Sequence, residues 1–216
     1  MSQPANFGRL ARLYRWMEYF SFGPYLAECR NARLDEASQC RRALLYGDGD
    51  GRFLAKLAAR APEMQVSAID ASAHMLQQAA RRLSAGSHVR LVHADALKCR
   101  PEGLPGAPFD LIVSHFFLDC FNEQEIAQLL AEVRGAIADN AMWIVSEFAI
   151  PKRSPLRQIG TLIVRSLYLA FGLLTGLKTR RLPDHGRMMR EAGWLLEDRK
   201  DLLFGLLISE RWRLSS

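Results

Sequence analysis

Apolar and polar positions follow two rhythms along this chain. Ala43 to Tyr46, Val66 to Ile69, Val89 to Val92, Phe109 to Val113 and Ala141 to Phe148 are short apolar runs with the length of buried strands. Between them the spacing turns helical. Phe53, Leu54, Leu57 and Ala58 form a stripe that stops before Pro62. Met75, Leu76, Ala79 and Leu83 form a second stripe, with Ser72 placed to cap it and Gly86 to end it. Asn122 with Glu125 predicts a capping-box start for a helix from Glu125 to Ile137, and Asp184 caps another that runs to Gly193. Trp194 to Asp198 and Phe204 to Glu210 predict two closing strands with no helix between them. Upstream, Leu10, Leu13, Tyr14, Met17 and Phe20 keep helical spacing from Phe7 to about Cys29, with Phe22-Gly23-Pro24 as the break.

Strands that alternate with helices of about 10 to 15 residues predict an α/β fold, a parallel sheet covered on both faces. The last two strands form an antiparallel hairpin at its edge. The chain reads as a single domain over 1–216: an N-terminal helical cap at 1–40, a cofactor-binding half at 41–150, and a substrate-side helix with closing strands at 151–216. In such sheets ligands sit at the carboxyl ends of the strands, near the topological switch point. Asp48, Asp50, Asp70, Asp95 and His115 all fall at those ends.

Composition narrows the class. The 216 residues are 49% hydrophobic and 24% charged, a balance suited to a packed core. The net charge of +6 comes from 29 basic and 23 acidic residues, but the arginines are scattered as singles and pairs. A solvated surface explains them better than a nucleic-acid partner does. Cys29, Cys40, Cys99 and Cys120 show no C-x-x-C spacing, which predicts reduced thiols, no zinc or other metal site, and a cytoplasmic location. The first residues lack a basic segment followed by an apolar one, so no signal peptide is expected. No uncharged apolar stretch reaches the roughly 18 residues of a membrane span. Arg165 interrupts the nearest one, Ile159 to Leu177.

The turn Gly47-Asp48-Gly49-Asp50-Gly51 lets backbone approach a ligand at a helix N-terminus. It has neither the Gly-Lys-Ser/Thr ending of a P-loop nor the third glycine spacing of the dinucleotide fingerprint. Its two aspartates disfavour a pyrophosphate, since like charges ~4 Å apart repel by roughly 4 kcal/mol at an effective dielectric near 20. S-adenosylmethionine carries an ammonium and a sulfonium against one carboxylate, and an acidic turn suits it. Asp70, 19 residues beyond Gly51, stands where a carboxylate accepts ribose hydroxyls. Asp95 follows the third strand and can accept from an adenine amino group.

The stretch LLYGDGDGRFLAKLAARAPEMQVSAIDASAHML, with LVHADAL and FDLIVSHFFLDCF, resembles the motifs of the class I S-adenosylmethionine-dependent methyltransferases in order and spacing, over about Ala43 to Phe148. The resemblance implies a Rossmann-like seven-stranded, mostly parallel sheet whose last strand is antiparallel. It is closest to the small-molecule branch. It implies that Gly47, Gly49 and Gly51 approach the methionine part of the cofactor, Asp70 the ribose, and Asp95 with Ala96 the adenine; Asp48, Ala71 and Met75 are further candidate cofactor contacts. S-adenosylhomocysteine would be the product. Leu45 stands where the family often carries an acid, and Asp48 or Asp50 is the candidate substitute. Ala138-Asp139-Asn140-Ala141 replaces the usual turn before the fifth strand. Ser114-His115-Phe116-Phe117 replaces the Asn/Asp-Pro-Pro-aromatic motif of nucleobase and glutamine N-methyltransferases.

Methyl transfer needs alignment and exclusion of water, and a general base only where the nucleophile holds its proton. His115 is the candidate base or a cofactor contact, and Asp119 is a second candidate base. Tyr14 and Tyr19, with a later apolar helix around Leu167, form an expected roof over a lipid-like or aromatic acceptor. Peripheral membrane contact by that helix is an alternative. Two other readings stay open: a methyltransferase-like binding or regulatory subunit without catalysis, and a nicotinamide-dependent oxidoreductase.

Overall fold

The computed structural model describes residues 23–151 and 183–215. The expected roof residues Tyr14, Tyr19 and Leu167 lie outside them. Seven strands form one sheet: β1 (Arg42–Tyr46), β2 (Gln65–Asp70), β3 (Val89–His93), β4 (Phe109–His115), β5 (Ile137–Phe148), β6 (Trp194–Leu202) and β7 (Leu207–Leu214). Their order is β3-β2-β1-β4-β5-β7-β6, with parallel pairing from β3 to β5 and β7 antiparallel to both of its neighbours. The chain leaves β1 toward one edge and returns at β4 to build toward the other. The switch point therefore falls between the carboxyl ends of β1 and β4.

Strands in such a sheet are buried on both faces, and successive side chains enter different cores. Leu44, Tyr46, Ile112, Trp143 and Val145 pack into one cluster; Ala43, Leu45, Leu111, Val113 and Ile144 pack into the other. Helices α3 (Arg52–Arg60) and α4 (Ala73–Ala80) supply the second cluster with Phe53, Leu54, Leu57 and Ala79, and α5 (Glu123–Arg134) and α6 (His185–Glu191) cover the first. The expected N-terminal caps are present, whereas α4 stops at Ala80, short of Gly86. Ser72 accepts from the Met75 amide, Asn122 and Glu125 close a reciprocal capping box, and Asp184 accepts from the Arg187 amide.

Boundaries depart from the sequence pattern in four further places. Gly23-Pro24 opens helix α1 (Gly23–Asn31), because proline lacks only an amide that the first turn leaves unbonded anyway. Helix α5 ends at Arg134, and Ile137 already pairs with Phe109. Residues 138–141 are accordingly an irregular part of β5, with Asn140 at φ 59°, rather than a turn before it. At the hairpin β6 runs on to Leu202, and the turn Leu203–Gly205 takes positive φ at all three residues, which leaves Phe204 78% exposed outside the strand.

Two buried ionic groups fix the hairpin to the helices. Arg33, next to the short helix α2 (Leu34–Ala37), donates to the Ser209 carbonyl, to Glu36 and, at 2.7 Å, to Asp198. Glu210 lies 3.0 Å from His185 Nε2 and accepts from Trp212 Nε1 at 3.0 Å and from Arg199 at 3.2 Å. Removing one partner of such a set leaves the others buried and unpaired. Glu210→Ala is expected to cost about 3 kcal/mol of stability, read as a lower urea midpoint with an unchanged slope. The four cysteines are free thiols, and no helix among the described residues is long and apolar enough to cross a membrane.

Candidate active site

The glycine turn joins β1 to α3, and its three glycines all have left-handed φ, +61°, +65° and +78°. They serve different ends. A Cβ on Gly47 would lie 2.4 Å from Phe117 Cδ2, and one on Gly51 would lie 2.5 Å from Ala79 Cβ. Gly51 is thus the close-packing glycine that lets α3 sit on α4. Gly49 faces open space, with nothing within 4 Å of its virtual Cβ. That bare backbone is where a ligand has room to approach.

The two aspartates of the turn also part company. Asp50 is ion-paired with Arg52 and Arg82, both at 2.9 Å, and so spends its charge at the surface. The expectation of two acids facing the ligand therefore reduces to Asp48. Asp48 Oδ2 accepts from the Leu54 amide at 3.0 Å, while Oδ1 is buried with no hydrogen-bond partner. Burial, with Asp50 and Asp70 nearby, pushes its pKa up to about 7, against the pull of the Leu54 amide and Arg30. A buried carboxylate oxygen without a donor is costly unless something cationic meets it. The ammonium of an aminoacyl group fits that requirement.

Asp70 ends β2 and accepts from the amides of Ser72, at 2.8 Å, and of Gly49. It ties the glycine turn to the second strand, and burial raises its pKa. A carboxylate has about four acceptor positions, so two remain for a diol. Beside it the Ala71 carbonyl lies 3.1 Å from His93 Nε2, and Met75 is half-buried on the first turn of α4. Asp95 closes its own turn by accepting from the Leu97 amide at 3.1 Å and pairs with Lys98 at 3.3 Å, while Ala96 is buried in the core on the α5 side.

His115 ends β4 with only 4% of its surface exposed. Its ring packs edge-on against Phe53, 4.5 Å between centroids, and neither ring nitrogen has a hydrogen-bond partner. Burial, then the Arg30 charge, lowers its pKa to about 3. The imidazole is neutral at every working pH and holds two unsatisfied polar atoms. Asp119 is half-buried in the turn Leu118–Cys120 that follows β4.

Two site residues escaped the sequence pattern. Arg30 reaches from α1 over the Phe116 ring, 5.3 Å from its centroid, and its charge acts on both Asp48 and His115. Nothing in its helical neighbourhood distinguishes it from the other scattered arginines. Glu147 lies at the end of β5, 1% exposed, and accepts from the amides of Phe117 at 3.0 Å and Leu118 at 2.8 Å. The signal was a lone acid in the otherwise uncharged run Met142 to Phe148, since a charge there must be partnered.

Comparison with known proteins agrees with this architecture. A family model described as a methyltransferase domain matches residues 43–140, which span the glycine turn, the ends of β2 to β4 and the start of β5. The structure of the mitomycin 7-O-methyltransferase MmcR superposes with a TM-score of 0.68 over 89% of this chain and 55% of that one, at 15% identity. The chain has the Rossmann-like methyltransferase fold, and its residues 43–140 match a methyltransferase domain. The N-methyltransferase NodS from Bradyrhizobium japonicum in complex with S-adenosyl-L-homocysteine superposes with a TM-score of 0.56, covering 91% of this chain and 89% of that one at 16% identity. In sequence, the release factor glutamine methyltransferase of Chlorobaculum tepidum is 34% identical over 125 residues, 54% of this chain and 42% of that protein. The chain spans about half the length of the curated relatives it matches. This chain has His115-Phe116-Phe117 where a Pro-Pro-aromatic motif would mark the glutamine enzymes.

Proposed function

We propose that this methyltransferase binds S-adenosylmethionine at the glycine turn and transfers its methyl group to a small, apolar or aromatic acceptor. The observation that carries the cofactor reading is the buried, unpartnered Asp48 Oδ1 beside the bare backbone of Gly49. Together they offer an acceptor for an ammonium and room for the chain that bears it. When bound, the cofactor supplies a sulfonium-activated methyl group. Asp48 would hold the aminoacyl ammonium, Asp70 the ribose diol, and Ala71, Met75, Asp95 and Ala96 the adenine side. Asp70→Ala is expected to weaken S-adenosylhomocysteine binding by about 10-fold in calorimetry, because the diol loses charged acceptors.

In this reading His115, packed edge-on against Phe53, would help keep water from the reacting centre. With its pKa near 3, His115 serves better as a neutral hydrogen-bonding wall than as a strong base. Asp119, nearer solvent, is the second candidate to take a proton from an acceptor hydroxyl. The apolar-acceptor reading is supported by the satellite cluster of Leu26, Phe116 and Leu207, against which Phe148 and Leu203 pack at the carboxyl end of the sheet. The small-molecule acceptor for which the mitomycin 7-O-methyltransferase MmcR is named points the same way.

Transfer of labelled methyl from S-adenosylmethionine to a panel of hydroxyaromatic compounds tests this reading, with a peptide amide and a nucleic acid as controls. Label in the hydroxyaromatics alone is the expected result. Label in the peptide or nucleic acid alone would overturn the acceptor class, and a non-catalytic subunit would label none.

A further inference from the structure

The loop that follows β4 has an unusual construction. Phe116 continues the ladder by donating to the Ser146 carbonyl at 2.7 Å, then turns left-handed at φ 52°. A non-glycine residue at positive φ is strained and persists only where its surroundings hold it. Here the holding group is Glu147. One oxygen, Oε1, accepts from the consecutive amides of Phe117 and Leu118, and the carboxyl also takes the Asp119 amide. Buried amides in a loop need an acceptor, and the Glu147 carboxyl supplies it here.

The turn sends two aromatic rings in different directions. Phe116 tilts onto Phe148, 5.0 Å away, within the satellite cluster. Phe117 stacks on Tyr46, 5.6 Å between centroids and 15° between planes, and is backed by Phe121 at 4.9 Å. Its edge then lies against the Cα of Gly47, the first residue of the cofactor turn. A side chain of β5 is in this way linked through the loop of β4 to the backbone of the β1 turn.

We propose that Glu147 is a positioning residue: it clamps the loop after β4 so that the Phe117 ring holds the glycine turn in its cofactor-binding shape. The hydrogen bonds of Glu147 go to the loop amides, and its other oxygen, Oε2, is buried without a hydrogen-bond partner. Its acid is chosen over an apolar residue because one oxygen meets several amides at once. Burial and the Asp119 charge raise its pKa well above the usual carboxylate range, which favours a neutral carboxylic acid. An amide oxygen can then replace it.

The effect on affinity rests on the reading that S-adenosylhomocysteine binds at the glycine turn, so the test has one arm that needs no ligand. Hydrogen exchange in the free protein should show protected Phe117 and Leu118 amides in the wild type and in Glu147→Gln. In Glu147→Ala they should exchange about 100-fold faster. Calorimetry with S-adenosylhomocysteine should place Glu147→Gln within about 3-fold of the wild type and Glu147→Ala at least about 10-fold weaker. If Glu147→Ala does not fold, Phe117→Ala decides: the amides should stay protected while affinity falls by about 5-fold or more. Wild-type affinity in a folded Glu147→Ala, or in Phe117→Ala, overturns the proposal. A wild-type protein that binds no S-adenosylhomocysteine refutes the cofactor reading instead, and the exchange arm then decides the clamp alone.

Discussion

Asp48→Asn is expected to weaken S-adenosylhomocysteine binding by about 10- to 100-fold at pH 8, the scale of a lost charge-assisted hydrogen bond in a buried site. The same change should make the free protein more stable at that pH. Asp48 has a native pKa of about 7 against the ordinary value of 3.8. Between those values the folded state holds a proton that the unfolded state has lost, so its contribution to stability falls as pH rises from about 4 to 7. Asparagine has no proton to lose and keeps an oxygen for the Leu54 amide. The variant should therefore gain roughly 1–3 kcal/mol at pH 8, and the gain should vanish toward pH 4.

Ligand binding runs with the opposite sign. An ammonium is held by the carboxylate form, so wild-type affinity should rise about 10-fold between pH 6 and pH 8 and level off above. The groups that face Asp48 are Arg30 from α1, Asp50 in the same turn and Asp70 from β2. Asp50 is ion-paired, Asp70 is held by the Ser72 and Gly49 amides, and a guanidinium keeps its charge over that range, which leaves Asp48 as the group that sets the slope. In Asp48→Asn the profile should be flat.

The second large effect separates two glycines that look alike in sequence. Gly51→Ala drives a Cβ to 2.5 Å from Ala79 Cβ and 2.6 Å from its Cα, at a φ of +78°. Neither contact is the end of a flexible side chain. Helices α3 and α4 must move apart, and the expected cost is about 3–5 kcal/mol, strain and overpacking together. Gly49→Ala meets no atom within 4 Å. It should cost about 1–2 kcal/mol through φ alone and lose S-adenosylhomocysteine binding by placing a methyl group in the ligand's path. Urea unfolding and calorimetry on the two variants give opposite rank orders for stability and affinity. Equal effects on both would contradict the division of labour.

Much of the architecture is legible from apolar spacing because strands buried on both faces leave a continuous signal. The caps at Ser72, Asn122 and Asp184 mark helix starts for a local chemical reason, and local reasons can be read from sequence. Strand ends were less legible. Ile137 pairs with Phe109, and residues 138–141 bulge to recover register with Met142. That outcome depends on a partner 28 positions away in the chain. Phe204 looked like a strand residue because it is apolar, but the turn that displays it is set by the pairing of Leu202 with Leu207.

The candidate site shows the same division. Its glycines and Asp70 stand out by spacing. That Asp50 turns to Arg82 while Asp48 turns inward is a tertiary fact, fixed by where α4 lies. Arg30 and Glu147 act on the site through space, from α1 and β5, and neither belongs to a local motif. The burial of His115 under Phe53 follows from the path of α3 across the sheet. It converts a residue that resembles a base into one held neutral.

The measurement closest to the central claim is a calorimetric titration of the wild-type protein at pH 8 with S-adenosylhomocysteine and, separately, with NAD. Micromolar binding of S-adenosylhomocysteine, on the order of −8 kcal/mol, with no detectable heat from NAD is the expected result. NAD binding as tightly, or S-adenosylhomocysteine failing to bind, would contradict the assignment of the glycine turn and Asp48 to a methyl donor.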